Sequence, residues 1–261
     1  MIPEIFIQSW RQNAKWQTPA QVEQDLVISR ALCELYNEPH IKETLVFRGG
    51  TALNKLFIQP PARYSEDIDF VQKNAGPIGK TIDAIRVLLK PWLGEPKWKI
   101  TERGAKLIYK YEAINKTPAK LKIEINTTEH FQALPLKTVL FVLESDWASG
   151  KANIITYELD ELMATKLRAL YQRRKGRDLF DIWHVAKQKL VDLDRVVSVF
   201  TKYCINDNID IRAEDFLKNL ALKKKHPDFQ ADMMALLPTE LNWNFGDAYQ
   251  FVIDEVISKM L

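Results

Sequence analysis

The spacing of apolar residues changes near residue 150, and this change limits the chain to a mixed architecture. Before it, residues 65–71 and 120–126 alternate polar and apolar side chains with the period of two that is typical of β-strands. From Leu159 on, apolar residues recur at helical spacing. We therefore predict an α+β protein with an α/β domain over residues 1–150 and an α-helical domain over residues 151–261, joined within residues 145–153.

The predicted elements differ between the two halves of the chain: the first half mixes helices and strands, and the second is helical. The first half is predicted to contain helices and strands at residues 18–36 (helix), 44–47 (strand), 51–57 (helix), 65–71 (strand), 80–93 (helix), 98–100, 106–111 and 120–126 (strands). The second half is predicted to contain helices at residues 158–174, 177–188, 193–203, 214–222, 229–236 and 247–260. Thr18-Pro19 supplies an N-cap and a first-turn proline for the first helix.

Composition sets broad limits on the class of protein. With 261 residues and 46% hydrophobic composition, the chain can bury a substantial core. A net charge of +3 is too small to require a nucleic-acid partner. The cysteines, Cys33 and Cys204, lie far apart, which favours a reducing compartment. No apolar run approaches the roughly 18 residues that span a bilayer, so we expect a cytoplasmic protein with no membrane partner.

Asp67 and Asp69 lie two residues apart on the predicted strand 65–71. Both carboxylates therefore project from one face, while Ile68 and Phe70 point towards the core. Such a pair can share a divalent cation, which orients a triphosphate in phosphoryl and nucleotidyl transfer. An isolated Asp-x-Asp is more often two solvated aspartates on a strand edge, so the surrounding residues must decide between the two interpretations.

Gly49-Gly50-Thr51 separates the predicted strand 44–47 from the predicted helix 51–57. Backbone N–H groups at the start of a helix bind phosphate oxygens, and glycine permits close approach of the ligand. The alternative interpretation is an ordinary tight turn.

Glu124 offers a third acid for a metal site. It shares one polar face of the predicted strand 120–126 with Lys120, Lys122 and Asn126, and that face could meet the aspartate pair. A surface strand carrying opposite charges explains the same pattern.

Residues 166–177 contain six basic residues and no acidic one. Lys166 and Arg173 lie seven residues apart on one helix face, where they could bind a triphosphate; the alternative is a solvated helix face. Gly176 is predicted to end this helix. Asp178 then serves either as the N-cap of the next helix or as a carboxylate turned towards an active site.

Together these segments resemble the AbiEii/AbiGii nucleotidyltransferase toxin family, whose core is polymerase-β-like. The resemblance rests on residues 47–53 (Phe-Arg-Gly-Gly-Thr-Ala-Leu), residues 63–70 (Arg-Tyr-Ser-Glu-Asp-Ile-Asp-Phe), and Lys166 followed by residues 177–181 (Arg-Asp-Leu-Phe-Asp). The chain departs from many nucleotidyltransferases at Thr51, where they have serine, and threonine keeps the hydroxyl.

The resemblance implies transfer of a nucleotide from a nucleoside triphosphate with Mg²⁺ or Mn²⁺ as cofactor. It makes Asp67 and Asp69 metal ligands and assigns the triphosphate phosphates to residues 49–51. It also gives Lys166 a role in triphosphate binding and makes Asp178 a second essential acid, a general base for the acceptor hydroxyl.

The same resemblance implies a toxin of a toxin–antitoxin or phage abortive-infection system, with a cognate antitoxin or an operon-encoded DNA-binding regulator as partner. Residues 166–177 and Lys223-Lys224-Lys225 favour an RNA acceptor such as tRNA, and a protein hydroxyl is the other candidate. A small-molecule (antibiotic-type) nucleotidyltransferase, a catalytically silent nucleotide- or partner-binding module, and a magnesium-dependent kinase remain open.

Overall fold

A computed structural model describes residues 2–238 and 240–260, which form two compact units. The first unit runs to His130 and resumes at Leu136–Tyr157, and the second contains Phe131–Pro135 and the described residues from Glu158 on. The sequence places the join within residues 145–153, and residues 149–153 of that range belong to a strand of the first unit, Ser149–Thr156. No helix among the described residues is long and apolar enough to cross a membrane.

A seven-stranded mixed sheet forms the centre of the first unit. Its strands are, in chain order, β1 (Leu45–Arg48), β2 (Asp67–Gln72), β3 (Lys97–Thr101), β4 (Gly104–Glu112), β5 (Pro118–Asn126), β6 (Lys137–Glu144) and β7 (Ser149–Thr156). Their spatial order is β3-β4-β5-β2-β1-β7-β6. The β2–β5 and β1–β7 pairs are parallel, and the other neighbours are antiparallel.

The alternating segments of the sequence became strands because one face of the sheet is buried. Ile68 and Phe70 of β2 are 0% and 1% exposed, which confirms that they face the core. The hairpin formed by β6 and β7 was not predicted. On β6, Leu140 and Val142 are apolar yet exposed, so the polar–apolar alternation that marks a half-buried strand is absent from its sequence.

Five helices accompany this sheet in the first unit. They are α1 (Glu4–Trp10), α2 (Pro19–Tyr36), α3 (Pro39–Thr44), α4 (Gly49–Leu56) and α5 (Gly79–Leu93). The predicted start of α2 is confirmed: Thr18 is the N-cap, its side chain accepts a hydrogen bond from the Gln21 N–H, and Pro19 occupies the first turn. α1 and α3 were not predicted, because each spans only two turns or less and shows little periodicity.

The second unit is helical, as predicted. Its helices are α6 (Leu159–Gln172), α7 (Gly176–Lys187), α8 (Leu193–Asn206), α9 (Ala213–Lys224), α10 (Pro227–Ala231) and α11 (Phe245–Glu255). A short 3-10 helix, Ile257–Lys259, follows α11, so the helix predicted for residues 247–260 is divided. Gly176 begins α7 and does not end α6, so this part of the prediction is wrong. Glycine is required there because the Phe229 carbonyl group leaves no room for a Cβ.

Candidate active site

The turn between β1 and α4 lies directly beside the aspartate pair. β1 pairs with β2 so that Arg48 is opposite Asp69. α4 begins at Gly49, whose φ of +82° lies in the left-handed region. A Cβ on Gly49 would also lie 2.6 Å from Oδ2 of Asp69. Glycine is therefore required at this position both by the backbone conformation and by the close approach of a carboxylate.

The Thr51 side chain stabilises the start of β2. Thr51 is buried, and its hydroxyl lies 2.8 Å from the Ser65 hydroxyl and contacts the carbonyl oxygen of Asp67. The threonine hydroxyl is thus engaged by protein groups. Within the described residues, no side chain caps the N-terminus of α4, so the groups that residues 49–51 can offer to an anion are backbone N–H groups.

Two side chains to which the sequence analysis assigned no role, Asn54 and Arg63, contact the glycine turn or hold its neighbours in place. Asn54 accepts hydrogen bonds from the N–H groups of Ala62 (3.0 Å) and Arg63 (3.2 Å) and donates to the Gly50 carbonyl (2.9 Å). Arg63 is 1% exposed, and its guanidinium lies against Gly50. These contacts join α4 to the irregular segment before β2, a region where apolar periodicity carries no information.

Asp67 and Asp69 share one face of the sheet with polar side chains of β5. The parallel register places Asp67 opposite Lys122 and Asp69 opposite Glu124, which confirms the predicted meeting of the two polar faces. Lys122 Nζ lies 2.5 Å from Asp67 Oδ2 and 3.4 Å from Glu124 Oε1. Lys106 Nζ of β4 lies 2.6 Å from the same Glu124 oxygen.

The acids at this site differ in their protonation behaviour. Burial raises the pKa of Asp67, and the neighbouring Asp69 adds to the rise, although the Lys122 ammonium opposes it. Burial also acts to raise the pKa of Glu124, but Lys106 and Lys122 outweigh it and hold this pKa below its ordinary value. Of Asp67 and Glu124, Asp67 is therefore the carboxyl whose anionic form would gain more from an added cation.

Two side chains of this site are suited to bind a hard divalent cation. Asp67 and Asp69 provide carboxylate oxygens on one strand face, the ligand type that Mg²⁺ and Mn²⁺ prefer. Among residues 2–238 and 240–260, no group of three or more His, Cys, Asp or Glu side chains is arranged to hold a metal ion. Glu124, the predicted third ligand, is instead ion-paired with Lys106 and Lys122.

The predicted basic and acidic residues of the second unit form an ionic cluster, in which Lys166 and Asp178 are buried and the Arg173 side chain is 53% exposed. Lys166 Nζ lies 3.2 Å from Asp178 Oδ1 and 2.9 Å from Asp181 Oδ2. Arg173 donates to both Asp178 oxygens, at 2.7 Å and 2.9 Å. Asp178 is 0% exposed and lies in the first turn of α7, whose N-cap is Lys175. Of the two roles open to Asp178, the N-cap role is therefore wrong.

Most of the other basic residues between 166 and 177 have acidic partners in their own unit. Arg168 lies 2.6 Å from Asp207, and Arg177 donates to Asp232 at 3.1 Å. Lys175 also lies near Asp232, at 3.9 Å. The run of like charges in the sequence is therefore largely neutralised by residues from later helices.

The run Lys223-Lys224-Lys225 also differs from a free basic patch. Lys223 is 8% exposed, its Nζ contacts the carbonyl oxygens of Leu170 and Tyr171 at the end of α6, and burial lowers its pKa to about 8. Lys224 Nζ lies 4.3 Å from the ring centroid of Tyr249. Two of the three lysines thus serve helix packing, and this run gives little support to an RNA acceptor.

The glycine turn at the start of α4 and the paired aspartates on the neighbouring strand place an anion-binding and a cation-binding group side by side, and the class of protein that the comparisons support is a nucleotidyltransferase. Solved structures agree with this fold. MenT4, a nucleotidyltransferase toxin from Mycobacterium tuberculosis H37Rv, is 16% identical, with a TM-score of 0.66 over 99% of both chains. JHP933 from Helicobacter pylori is 19% identical, with a TM-score of 0.50 over 94% of this chain and 96% of its own.

Residues 30–251 match the family described as "Nucleotidyl transferase AbiEii toxin, Type IV TA system". The chain belongs to this family of nucleotidyltransferase toxins, which confirms the resemblance drawn from residues 47–53, 63–70 and 166–181. A comparison with curated protein sequences yields no match.

Proposed function

We propose that this toxin transfers a nucleotide from a nucleoside triphosphate to an RNA acceptor such as tRNA, with Mg²⁺ or Mn²⁺ held by Asp67 and Asp69. The observation that carries the proposal is the contact between the glycine turn and the acid pair. Gly49, at the uncapped start of α4, lies against the Asp69 carboxylate. Anion-binding N–H groups and cation-binding carboxylates thus adjoin each other, as a metal-bound triphosphate requires.

Each group of the first unit has a defined part in this proposal. The N–H groups of residues 49–51 bind and orient phosphate oxygens, and Gly49 leaves space for them. The metal, when bound, neutralises charge that develops on the transferred group and its neighbours. Lys122 would exchange its contact with Asp67 for one with a phosphate oxygen, and Glu124 would become a ligand only after release from Lys106 and Lys122.

The proposal also assigns chemistry to the ionic cluster of the second unit. Lys166 and Arg173 would bind the triphosphate, and Asp178 would accept the proton of the acceptor hydroxyl. Since Lys166 and Arg173 both pair with Asp178, the two cations are positioned by this carboxylate before any substrate binds.

Labelled triphosphates test the proposal directly. We expect the purified protein with Mg²⁺ and total RNA to transfer the label of at least one α-labelled nucleoside triphosphate to RNA, and to transfer no γ-label. Transfer of γ-label would identify a kinase, and labelling of small molecules alone would identify an antibiotic-type enzyme. Absence of transfer from all four triphosphates to RNA would overturn the proposal.

Two neutralising substitutions separate chemistry from structure in the ionic cluster. Asp178→Asn and Asp181→Asn each remove one buried negative charge beside Lys166. Loss of a general base lowers rates by roughly 10²- to 10⁴-fold, so we expect a fall of that size for Asp178→Asn and a change of only a few-fold for Asp181→Asn. Transfer rates and urea unfolding are measured for both proteins. If Asp178→Asn and Asp181→Asn lowered the transfer rate equally, and lowered the free energy of unfolding equally, Asp178 would have a structural role only.

The biological role follows from the same proposal. We infer that the protein acts in the cytoplasm, where triphosphates and RNA are found, as a growth-inhibiting toxin in phage defence. A cognate antitoxin, or a DNA-binding regulator from the same operon, would restrain it. Growth arrest on expression, relieved by co-expression of the neighbouring gene, is the expected result.

A further inference from the structure

A face of lysines extends from the aspartate pair across three neighbouring strands. Side chains that lie opposite each other in the register share one face of the sheet. The lysine face, as we call it, consists of six lysines on β3, β4 and β5: Lys97, Lys99, Lys106, Lys110, Lys120 and Lys122. It belongs to the same sheet surface as Asp67 and Asp69, because Lys122 is opposite Asp67.

The register brings like charges together on this face. Lys99 is directly opposite Lys106, and Lys110 is directly opposite Lys120. Like charges in directly opposed positions destabilise a sheet. Lys106 is compensated by Glu124. Lys122 is compensated by Asp67 and Glu124. Within residues 2–238 and 240–260, the remaining four lysines of the face have no compensation.

These four lysines are the exposed part of the lysine face. Their side chains make no hydrogen bond or ion pair with any described residue: Lys97, Lys99, Lys110 and Lys120. Residues 97–122 contain eight Lys or Arg and two Asp or Glu, a net charge of +6, whereas the whole chain carries +3. The positive charge of the protein is therefore concentrated in this part of the sheet and is available to an external anion.

We propose that the lysine face binds the sugar–phosphate backbone of the RNA acceptor and presents one end of that RNA to Asp67 and Asp69. This inference rests on the proposed function, because it assigns a binding surface to the acceptor. Strands lie about 4.8 Å apart, so the face reaches about 14 Å from β2 to β3, enough for several phosphates of one strand.

The chemistry of the face favours RNA phosphate over a membrane surface. Among the described register positions on the same side of β3 to β5, the one large apolar side chain is that of Ile108. Binding at a membrane surface requires an apolar face that enters the lipid. Aromatic side chains, on which bases stack, are absent from the described register positions of this face on β3 to β5. Recognition would therefore depend on phosphate charge and on salt, with little dependence on base sequence.

Fluorescence anisotropy with a labelled RNA hairpin that has a single-stranded 3′ end tests this surface. The test protein carries four substitutions on the lysine face: Lys97→Gln, Lys99→Gln, Lys110→Gln and Lys120→Gln. The control protein carries four substitutions at exposed lysines elsewhere, with the same change in net charge: Lys42→Gln, Lys80→Gln, Lys151→Gln and Lys202→Gln. We expect at least tenfold weaker RNA binding for the test protein, with a salt dependence reduced by about three counterions, and binding within about twofold of wild type for the control.

Stability and catalysis are measured on the same proteins. Because Lys110→Gln with Lys120→Gln removes an opposed like-charge pair, this double variant should unfold at the same or slightly higher urea concentration while binding RNA more weakly. Asp67→Asn with Asp69→Asn should bind RNA at least as tightly as wild type, because it removes two negative charges from the same sheet surface. Equal RNA affinity of test and control proteins would overturn the lysine face even if nucleotide transfer to RNA is observed. Lysine-dependent RNA binding without any transfer would uphold the face and overturn the proposed function. Binding to phosphatidylserine vesicles in place of RNA would overturn the lysine face as an RNA site.

Discussion

Asp67→Asn and Asp69→Asn, made singly, should each lower the rate of nucleotide transfer by roughly 100- to 1,000-fold. Asparagine keeps an oxygen at nearly the same place but removes the negative charge that holds a divalent cation. A metal ion contributes several kcal/mol to the stabilisation of charge in the transition state, and about 1.4 kcal/mol corresponds to a factor of ten.

The fold should survive both substitutions. The Asp67–Lys122 ion pair is partly exposed, with 24% of each side chain accessible, and such pairs contribute roughly 0–1 kcal/mol. Removal of one charge also relieves the repulsion between Asp67 and Asp69, which contributes to the raised pKa of Asp67. Urea unfolding should therefore give a free energy of unfolding within about 1 kcal/mol of wild type.

Glu214→Gln is the matched control for this experiment. Glu214 lies on α9, is exposed, and lies 3.8 Å from Lys218, so its neutralisation changes the net charge equally without touching the acid pair or the lysine face. Transfer by this variant should equal that of wild type. If Asp69→Asn retained transfer comparable to that of wild type, the acid pair would not be the metal site. The glycine turn would then not be the binding site for the phosphates of a metal-bound triphosphate.

Asp25→Ala should have the largest effect on stability, about 3–5 kcal/mol, the cost of leaving a buried charge without its partner. Asp25 is 3% exposed, and its carboxylate accepts hydrogen bonds from the indole N–H groups of Trp10 (2.8 Å) and Trp16 (3.1 Å). It also lies 2.7 Å from Lys55 Nζ, and 11% of the Lys55 side chain is exposed. The variant removes all three contacts at once.

Thermal unfolding followed by circular dichroism measures this effect. For a chain of this size, the loss corresponds to a fall in melting temperature on the order of 10 °C. Asp83→Ala, at an exposed aspartate of α5, should change stability by less than about 0.5 kcal/mol. Replacement of Lys55 by Met in the Asp25→Ala background should restore part of the loss, because the unpaired charge is then removed. A loss below about 1 kcal/mol in Asp25→Ala would mean that water solvates Lys55 adequately.

The Asp25 network also matters for the active site. Lys55 belongs to α4, the helix that begins with the glycine turn, so the pair joins α4 to α2. Partial loss of nucleotide transfer in Asp25→Ala is therefore expected to follow the loss of stability, with recovery at low temperature. That recovery distinguishes it from Asp69→Asn, whose defect should persist.

Local patterns in the sequence determined the types of element and the direction of the key side chains. Alternation along β2 placed Asp67 and Asp69 on one face and Ile68 and Phe70 in the core, because successive side chains on a strand must point to opposite faces. The Thr18-Pro19 pair determined the start of α2 for an equally local reason, the satisfaction of free N–H groups within one turn. Three short motifs in order, at residues 47–53, at residues 63–70, and at Lys166 with residues 177–181, were sufficient to identify the family.

Only the tertiary structure decided which charges are available for chemistry. Sequence alone left Lys166, Arg173 and Asp178 as a basic stripe and an acid, whereas packing buried Lys166 with Asp178 and Asp181 and paired the exposed Arg173 with Asp178. It likewise enclosed Lys223, which the sequence presents as part of an exposed basic run.

In the β-sheet, by contrast, strand register left several lysines exposed. It placed Lys122 beside Asp67 and left Lys110 opposite Lys120, with both lysines exposed and without acidic partners in the part of the chain that the structure describes. The physical reason is the range of the interactions. Periodicity is set by neighbours within one or two turns or pleats, whereas burial and ion pairing depend on which distant segments lie side by side. The type of each element and the face on which a side chain lies could therefore be predicted from the sequence. The partner of each charge was determined only by the arrangement of the strands and helices.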